Sequence, residues 1–157
     1  MAEDVRTETM TWIVSANSEF DTVRAFEELG TLDWNQGVYK LKEGDIVYIY
    51  LGRPVQKVRF KCKVTKANMP CTEIDDRKYV SGITDEDLEE KYEPVYENTM
   101  QLTALEEYKE SDMFGIKALA ENGIMGSIRT PRTITGATLE YFNSIDVSEN
   151  IVRNFEE

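Results

Sequence analysis

An alternating segment near the middle of the chain constrains the fold most strongly. Between Val55 and Lys66, apolar and basic residues alternate, with Val58, Phe60, Cys62 and Val64 on one face and Lys57, Arg59, Lys61 and Lys63 on the other. Because successive side chains of a strand point to opposite faces, this period of two predicts a half-buried antiparallel strand. The basic face has two interpretations: it contacts nucleic-acid phosphates, or it protects an exposed sheet edge.

The charge of the chain is unevenly distributed. The net charge is −12 at pH 7, yet residues 38–68 contain eight basic and two acidic residues, so this stretch carries +6 and the rest −18. Such asymmetry predicts one basic face on an acidic body.

The composition excludes several kinds of chemistry. The chain has no histidine, which excludes Ser-His-Asp and Cys-His catalysis and any metal site built on imidazole. Two cysteines, Cys62 and Cys71, cannot form a four-thiolate metal site. The acidic runs 75–76, 85–87 and 89–90 lack partners spaced to shift their pKa values, so they indicate solvated charge. We therefore expect no enzyme activity, no metal and no cofactor.

The chain shows no linker or repeat, so a single domain over residues 1–157 is predicted, with residues 1–10 frayed. No apolar run is long enough to span a membrane. The N-terminus is acidic where a secretory signal would be basic and then apolar, so we expect a cytoplasmic protein.

Local patterns predict a mixed chain with a β-rich centre. Strands are expected at Thr11–Ala16, Ile46–Leu51, Val55–Lys66 and Tyr92–Leu102, with an extended segment at Ile124–Ile134. Helices are expected from Asn17-Ser18 to Gly30, over Thr103–Glu110 and Asp112–Glu121, and from Thr135 or Gly136 to Ile145. Thr31–Val38 and Met69–Glu90 are expected to be irregular. The fold class is α+β, a curved and mainly antiparallel sheet flanked by helices.

Several aromatic residues are candidates for binding. Trp34 is predicted in a polar loop beside Asn35, where a ring can stack on a base while amide groups bond its edge. Tyr48 and Tyr50 share one face of a predicted strand and fit either a binding pocket or the core.

The order of motifs resembles the EVE domain. The residues that carry the resemblance are Thr11-Trp12-Ile13-Val14-Ser15, Trp34-Asn35-Gln36 and the turn Lys42-Glu43-Gly44-Asp45 before the strand Ile46–Tyr50. The resemblance covers about residues 11–145. EVE domains belong to the PUA-like superfamily with the YTH and ASCH domains, so it implies a small barrel-like sheet that binds RNA or modified DNA.

The resemblance also implies a base-binding pocket near the end of the first strand. Ser15 and Asn17 resemble the polar pair that contacts the base edge, Trp34 resembles a cage wall with Asn35 beside it, and Tyr48 or Tyr50 corresponds to a second ring or the floor. Arg129 falls in a segment near that pocket and corresponds to a phosphate or base contact. The chain has Asn35-Gln36-Gly37 where relatives often have an Arg-Asn pair, which leaves the modification, and DNA or RNA, open.

Three functions follow as hypotheses. The first is a non-enzymatic domain that binds a flipped, modified base of DNA or RNA, with phosphates along Lys57, Arg59, Lys61 and Lys63 and any cleavage left to a separate nuclease partner. It fits a specificity module of a restriction or RNA-related system in bacteria. The second is a protein-interaction or regulatory module whose acidic body docks a basic partner. The third, a small-molecule binder or enzyme, has the least support because histidine and a coherent acid-base pair are missing.

Overall fold

A computed structural model describes residues 8–124, 126, 128–145 and 147–155. Its strands are β1 (Thr11–Ala16), β2 (Thr31–Asn35), β3 (Ile46–Leu51), β4 (Lys57–Met69), β5 (Thr99–Tyr108), β6 (Arg132–Ile134) and β7 (Ile151–Asn154). Its helices are α1 (Thr22–Leu29), α2 (Asp85–Glu89), α3 (Ile116–Glu121) and α4 (Gly136–Ser144), with short 3-10 turns at Arg77–Tyr79 and Asp112–Phe114.

One strongly curled sheet, a half-barrel flanked by helices, organises these elements. The strand order is β2-β5-β4-β3-β1-β6, and β7 also pairs with β5. Only the β1–β3 pairing is parallel among the described strand pairs; the others are antiparallel. The predicted fold class, a curved and mainly antiparallel α+β sheet, is therefore confirmed.

The core lies on both faces of this sheet. On one face α1 supplies Phe26, which packs near Phe60 of β4 with ring centroids 4.8 Å apart. On the other face α3 and α4 supply Leu119 and Phe142, which pack against a cluster that includes Tyr48. The central strands are therefore covered on both sides, as the apolar run of β3 requires.

The Gly44-Asp45 turn shows why the motif before β3 matters to the fold. Asp45 is fully buried, and its carboxylate accepts hydrogen bonds from the backbone N–H of Met10 (2.9 Å) and the indole N–H of Trp12 (3.0 Å). Asp45 thus joins the start of β3 to the start of β1. Of the segment 1–10 that was expected to be frayed, residues 1–7 lie outside the described residues.

Several local predictions are confirmed. Strands β1 and β3 have the predicted bounds, β4 begins two residues after the predicted Val55 and extends past Lys66 to Met69, and α4 begins at the predicted Gly136. Helix α1 ends at Gly30, whose left-handed backbone (φ +76°) lets its N–H bond to Phe26.

Several local predictions are wrong. Strand β5 begins at Thr99, so residues 92–98 are not part of the strand predicted over Tyr92–Leu102, and α2 lies within the segment expected to be irregular. Residues 31–35 form β2 instead of a loop, because they pair with β5. The helix predicted over Thr103–Glu110 is mostly strand β5. Thr103 and Glu106 have the spacing of a helix capping box, but pairing with β4 on one side and with β2 and β7 on the other overrides this local pattern. Helix α1 begins at Thr22, with Asp21 rather than Asn17-Ser18 as its cap.

Among the described residues, no helix is long and apolar enough to cross a membrane.

Candidate functional site

An open cleft of about 300 Å³ lies beside Trp34, at the end of β1. We call it the Trp34 cleft, and its lining residues are Ser15, Asn17, Phe20, Asp33, Trp34, Asn35 and Asp76. Four residues selected from the sequence therefore lie together in it, namely Ser15, Asn17, Trp34 and Asn35.

The end of β1 positions one side of the cleft. After Ala16 the chain leaves the sheet in a turn, in which the Asn17 Oδ1 atom accepts the Glu19 N–H at 2.8 Å and the Phe20 N–H bonds to the Asn17 carbonyl at 3.1 Å. The turn leaves the amide N–H groups of Asn17 without a partner among the described residues. It also brings Phe20, which lies within the helix predicted from Asn17-Ser18 to Gly30, into the cleft.

Strand β2 positions the opposite side. Trp34 pairs in register with Met100 of β5, and its ring stacks on Phe26 of α1 with centroids 6.4 Å apart and planes 16° apart. The indole is therefore held by the core on one side and remains half-buried. Asn35 ends the strand and is exposed, which places an amide beside the ring as predicted.

Asp33 fixes the loop that completes the cleft. Its Oδ2 atom accepts the backbone N–H groups of Glu73 and Ile74, both at 2.7 Å, and its Oδ1 atom accepts the Gln101 amide at 3.1 Å. These bonds hold the loop after β4 against β2. The loop then brings Asp76 to the cleft.

Asp76 is a site residue that sequence analysis missed, because it lies in a run interpreted as solvated charge. It is half-buried. Burial is the main reason that its pKa lies above the usual range, and the nearby carboxylates of Asp33 and Asp75 raise it further. No sequence signal identified Asp76, since its position depends on the long-range bonds of Asp33.

Tyr48 and Tyr50 do not reach the cleft. Both are buried in the core on the other face, where the Tyr48 and Phe142 ring centroids are 4.7 Å apart. Burial raises the pKa of Tyr48 to about 12. Of the two interpretations of these tyrosines, the structure supports the core, because β3 lies between two strands and is covered on both faces.

The five residues predicted to contact phosphates differ in whether acidic residues lie beside them. The Arg59 side chain donates from Nε to the Tyr108 carbonyl, and its guanidinium lies 3.4 Å from the Glu107 carboxylate. Lys57 lies 3.8 Å from Asp112. Two of the five residues proposed to bind phosphates, Arg59 and Lys57, are therefore already paired with acidic residues on β5 or after it.

The other three residues predicted to contact phosphates differ in their exposure. Lys61 is half-buried, whereas Lys63 and Arg129 are exposed. The described lining of the Trp34 cleft contains none of the five basic residues.

Two further clefts adjoin the Trp34 cleft. The first, of about 460 Å³, shares Asn17 and Phe20 with it and is lined by the basic residues Arg24, Arg53 and Lys78. We call it the Arg53 cleft. Arg24 and Lys78 both contact Glu28, at 2.8 and 3.4 Å. The side-chain hydrogen bond from Arg24, followed by that from Tyr79, lowers the pKa of Glu28 to about 2.

The second, the Tyr92 cleft of about 380 Å³, shares Asp33, Trp34, Asn35 and Asp76 with the Trp34 cleft and adds Glu93, Glu97 and Arg77. Trp34 therefore lines the Trp34 and Tyr92 clefts but not the Arg53 cleft.

Comparison with known proteins identifies the fold. No protein-family model matches the sequence, and no curated protein matches it. An ASCH protein from Zymomonas mobilis is structurally similar, with a TM-score of 0.53 and 8% identity over 88% of this chain and 96% of that one.

Two other solved structures are similar. A protein from Pseudomonas putida has a TM-score of 0.56 and 13% identity over 85% of this chain and 97% of that one. A hypothetical protein from Leishmania major has a TM-score of 0.53 and 12% identity over 87% of this chain and 93% of that one.

The chain has an ASCH-like fold. The barrel-like α+β fold that the EVE resemblance implied is therefore confirmed. The similarities show the fold alone and do not single out the EVE domain.

Proposed function

We propose that this chain is an EVE-type, non-enzymatic domain that binds nucleic acid and takes one base into the Trp34 cleft. The observation that carries the proposal is the convergence of Ser15, Asn17, Trp34 and Asn35 on one open cleft. A half-buried indole supplies a stacking surface, and the hydroxyl and amides supply edge contacts, which is what base recognition requires. The cleft volume lies at the lower end of the range for small-ligand sites, about 300–1,000 Å³.

The phosphates of such a nucleic acid require cations beside the base. The Arg53 cleft shares two lining residues with the Trp34 cleft, so Arg53 is the first candidate for an adjoining phosphate, whereas Arg24 and Lys78 are paired with Glu28. Arg53 is exposed and forms no ion pair among the described residues. Lys61, Lys63 and Arg129 are candidates for a longer nucleic acid, whereas Lys57 and Arg59 are engaged by acids.

The base is proposed to be modified and flipped out of its stack, as the resemblance implies, in DNA or RNA. The domain would then act as the specificity module of a modification, restriction or RNA-related system. A separate nuclease or other protein partner would perform any cleavage.

Fluorescence-polarisation binding at about 50 mM salt tests this proposal, because phosphate contacts are strongest at low ionic strength. The probes are short DNA and RNA strands, plain or carrying methylated or hydroxymethylated cytosine or methylated adenine. We expect preferential binding of one modified probe, and Trp34→Ala should weaken it about 5- to 150-fold, the equivalent of losing one stacked base. Tyr96→Ala is the matched control, because Tyr96 is an exposed aromatic residue outside these clefts.

Two results contradict the proposal. One is the absence of binding to every probe, and the other is wild-type discrimination between modified and plain probes by Trp34→Ala.

A second candidate function is a protein-interaction module for a basic partner. The acids that line the Trp34 and Tyr92 clefts favour it, namely Asp33, Asp76, Glu93 and Glu97. An aromatic ring beside carboxylates can hold a lysine or arginine side chain. Binding of a Lys/Arg-rich peptide in the same assay, with no oligonucleotide binding, supports this alternative.

A further inference from the structure

The Asp76 carboxylate has no structural role among the described contacts. It shares the Trp34 cleft with Asp33, but Asp33 accepts three hydrogen bonds that hold the fold together. Asp76 precedes the 3-10 turn Arg77–Tyr79, yet its side chain does not cap that turn. It forms no ion pair and no hydrogen bond to another residue's side chain in the described part of the chain, and a hydrogen bond from its own backbone N–H is the contact that lowers its pKa.

A half-buried carboxylate of this kind is costly unless a donor reaches it. The three bonds of Asp33 show how the same fold satisfies an acid that it uses structurally. The neighbouring carboxylates of Asp33 and Asp75 raise its pKa further, and the hydrogen bond from its own backbone N–H offsets only part of the effect of burial. A ligand group with N–H donors would therefore gain a hydrogen bond to a charged acceptor that is already in place.

The other polar residues of the cleft supply mainly hydrogen-bond donors, whereas Asp76 is an acceptor. The Asn17 amide has its oxygen engaged by Glu19, so its free atoms are N–H donors. Ser15 adds a hydroxyl and Asn35 a second amide, both able to donate. A ligand edge that carries an amino group beside a hydrogen-bond acceptor is complementary to this cleft. The Asp76 carboxylate accepts from the amino group, and the hydroxyl or an amide donates to the acceptor.

Nucleobases differ in this respect. Cytosine, adenine and guanine carry an exocyclic amino group beside a ring or carbonyl acceptor, and carboxylates are known acceptors for the cytosine amino group. Uracil and thymine present carbonyl oxygens at the corresponding edge positions, and these repel a carboxylate.

We propose that Asp76 accepts a hydrogen bond from the exocyclic amino group of the bound base, so that the cleft selects amino-bearing bases over uracil and thymine. This inference rests on the proposed function of the Trp34 cleft. Asp76 is then its specificity-determining residue, while Trp34 supplies base-independent stacking.

The experiment compares short oligouridine strands in which only the central nucleotide varies among uracil, cytosine, adenine and guanine. Binding is measured by fluorescence polarisation for the wild type, Asp76→Asn, Asp76→Ala and Trp34→Ala. Asp85→Asn is the matched control, because it makes the same change of charge at an exposed position of α2. Circular dichroism and thermal melting of each variant confirm folding, which the absence of a capping role for Asp76 favours.

The wild type should bind at least one amino-bearing probe about tenfold more tightly than the all-uracil probe, the effect of one hydrogen bond to a charged group. Asp76→Asn and Asp76→Ala should reduce that preference to less than about threefold, while Asp85→Asn retains it. Trp34→Ala should weaken binding of all four probes alike.

Three outcomes would overturn this inference, and they are distinguishable. If the wild type binds none of these probes and none of the modified or plain strands of the first experiment, both the proposed function and the role of Asp76 are wrong. If binding depends on Trp34 but shows no preference for amino-bearing bases, or keeps that preference in both Asp76 variants, only the role of Asp76 is wrong. If Asp85→Asn removes the preference as fully as Asp76→Asn, the effect is one of overall charge.

Discussion

Trp34 and Tyr48 are aromatic residues on strands of the same sheet, yet their surroundings differ. Trp34 lies on β2, at one end of the strand order, with β5 as its neighbour. Its ring packs on Phe26 and remains half-buried beside an open cleft. Tyr48 lies on β3, between β4 and β1, and only 5% of its surface is exposed. The position of the strand in the sheet therefore decides which ring is available to a ligand.

The same contrast separates the basic residues of β4. Arg59 is held by the Tyr108 carbonyl and the buried Glu107, and its side chain is 13% exposed. Lys63, four residues along the same strand, is exposed. The basic residues of one strand thus include some that stabilise the fold and some that are free to bind a ligand. Which of the two a residue does depends on the residues that the neighbouring strand places beside it.

Truncating the two rings gives the largest effect. Tyr48→Ala should reduce the free energy of unfolding by about 3–5 kcal/mol, because it leaves a cavity among Phe114 and Phe142. Trp34→Ala should cost only about 1–2 kcal/mol, since roughly half as much surface is lost from the core. Urea denaturation at neutral pH measures both. Equal losses would show that Trp34 is as much a core residue as Tyr48.

The two cations of β4 give an intermediate effect. Arg59→Met should destabilise the protein by about 2 kcal/mol, because it leaves the buried Glu107 carboxylate without its partner. Lys63→Met, the matched control on the same strand, should change stability by less than about 0.5 kcal/mol. The measurement is again urea denaturation. A larger loss for Lys63→Met would contradict the assignment of Arg59 as the structural cation.

Sequence patterns predicted those elements of the fold whose local signal agrees with their surroundings. The apolar run of β3, the alternation of β4 and Gly30 at the end of α1 are examples. Strand β5 was predicted as a helix over Thr103–Glu110, because a capping pattern there is local whereas the pairing with β4 is distant in sequence. Local preference lost to tertiary pairing in that region.

The candidate site follows the same rule. Ser15, Asn17, Trp34 and Asn35 were selected because a motif order or residue type marked them individually. Phe20 and Asp76 were missed as site residues, since a turn and a loop bring them to the cleft. The loop depends on bonds from Asp33 to Glu73 and Ile74, about forty positions away. No local pattern contains that information.

Glutamates in buried and exposed regions should respond to pH in opposite ways. Burial, followed by the neighbouring Glu27 carboxyl, raises the pKa of Glu107 from 4.5 to about 7. Between these values the unfolded chain has released the proton that the folded chain still holds. The free energy of unfolding should therefore fall as pH rises from about 4.5 to 7, and this contribution should become constant above that range.

Glu107→Gln tests this pH dependence, because an amide of similar shape cannot titrate. Unfolding measured in urea at several pH values between 5 and 8 should show a shallower fall for Glu107→Gln than for the wild type. Glu28→Gln is the matched control: its pKa of about 2 lies below the unfolded value of 4.5, so its stabilisation is complete above pH 4.5 and is lost only as pH falls towards 2. The control should keep the wild-type slope between pH 5 and 7. If Glu107→Gln also keeps that slope, the Glu107 carboxylate is ionised throughout the range, and Arg59 and Arg153 outweigh its burial.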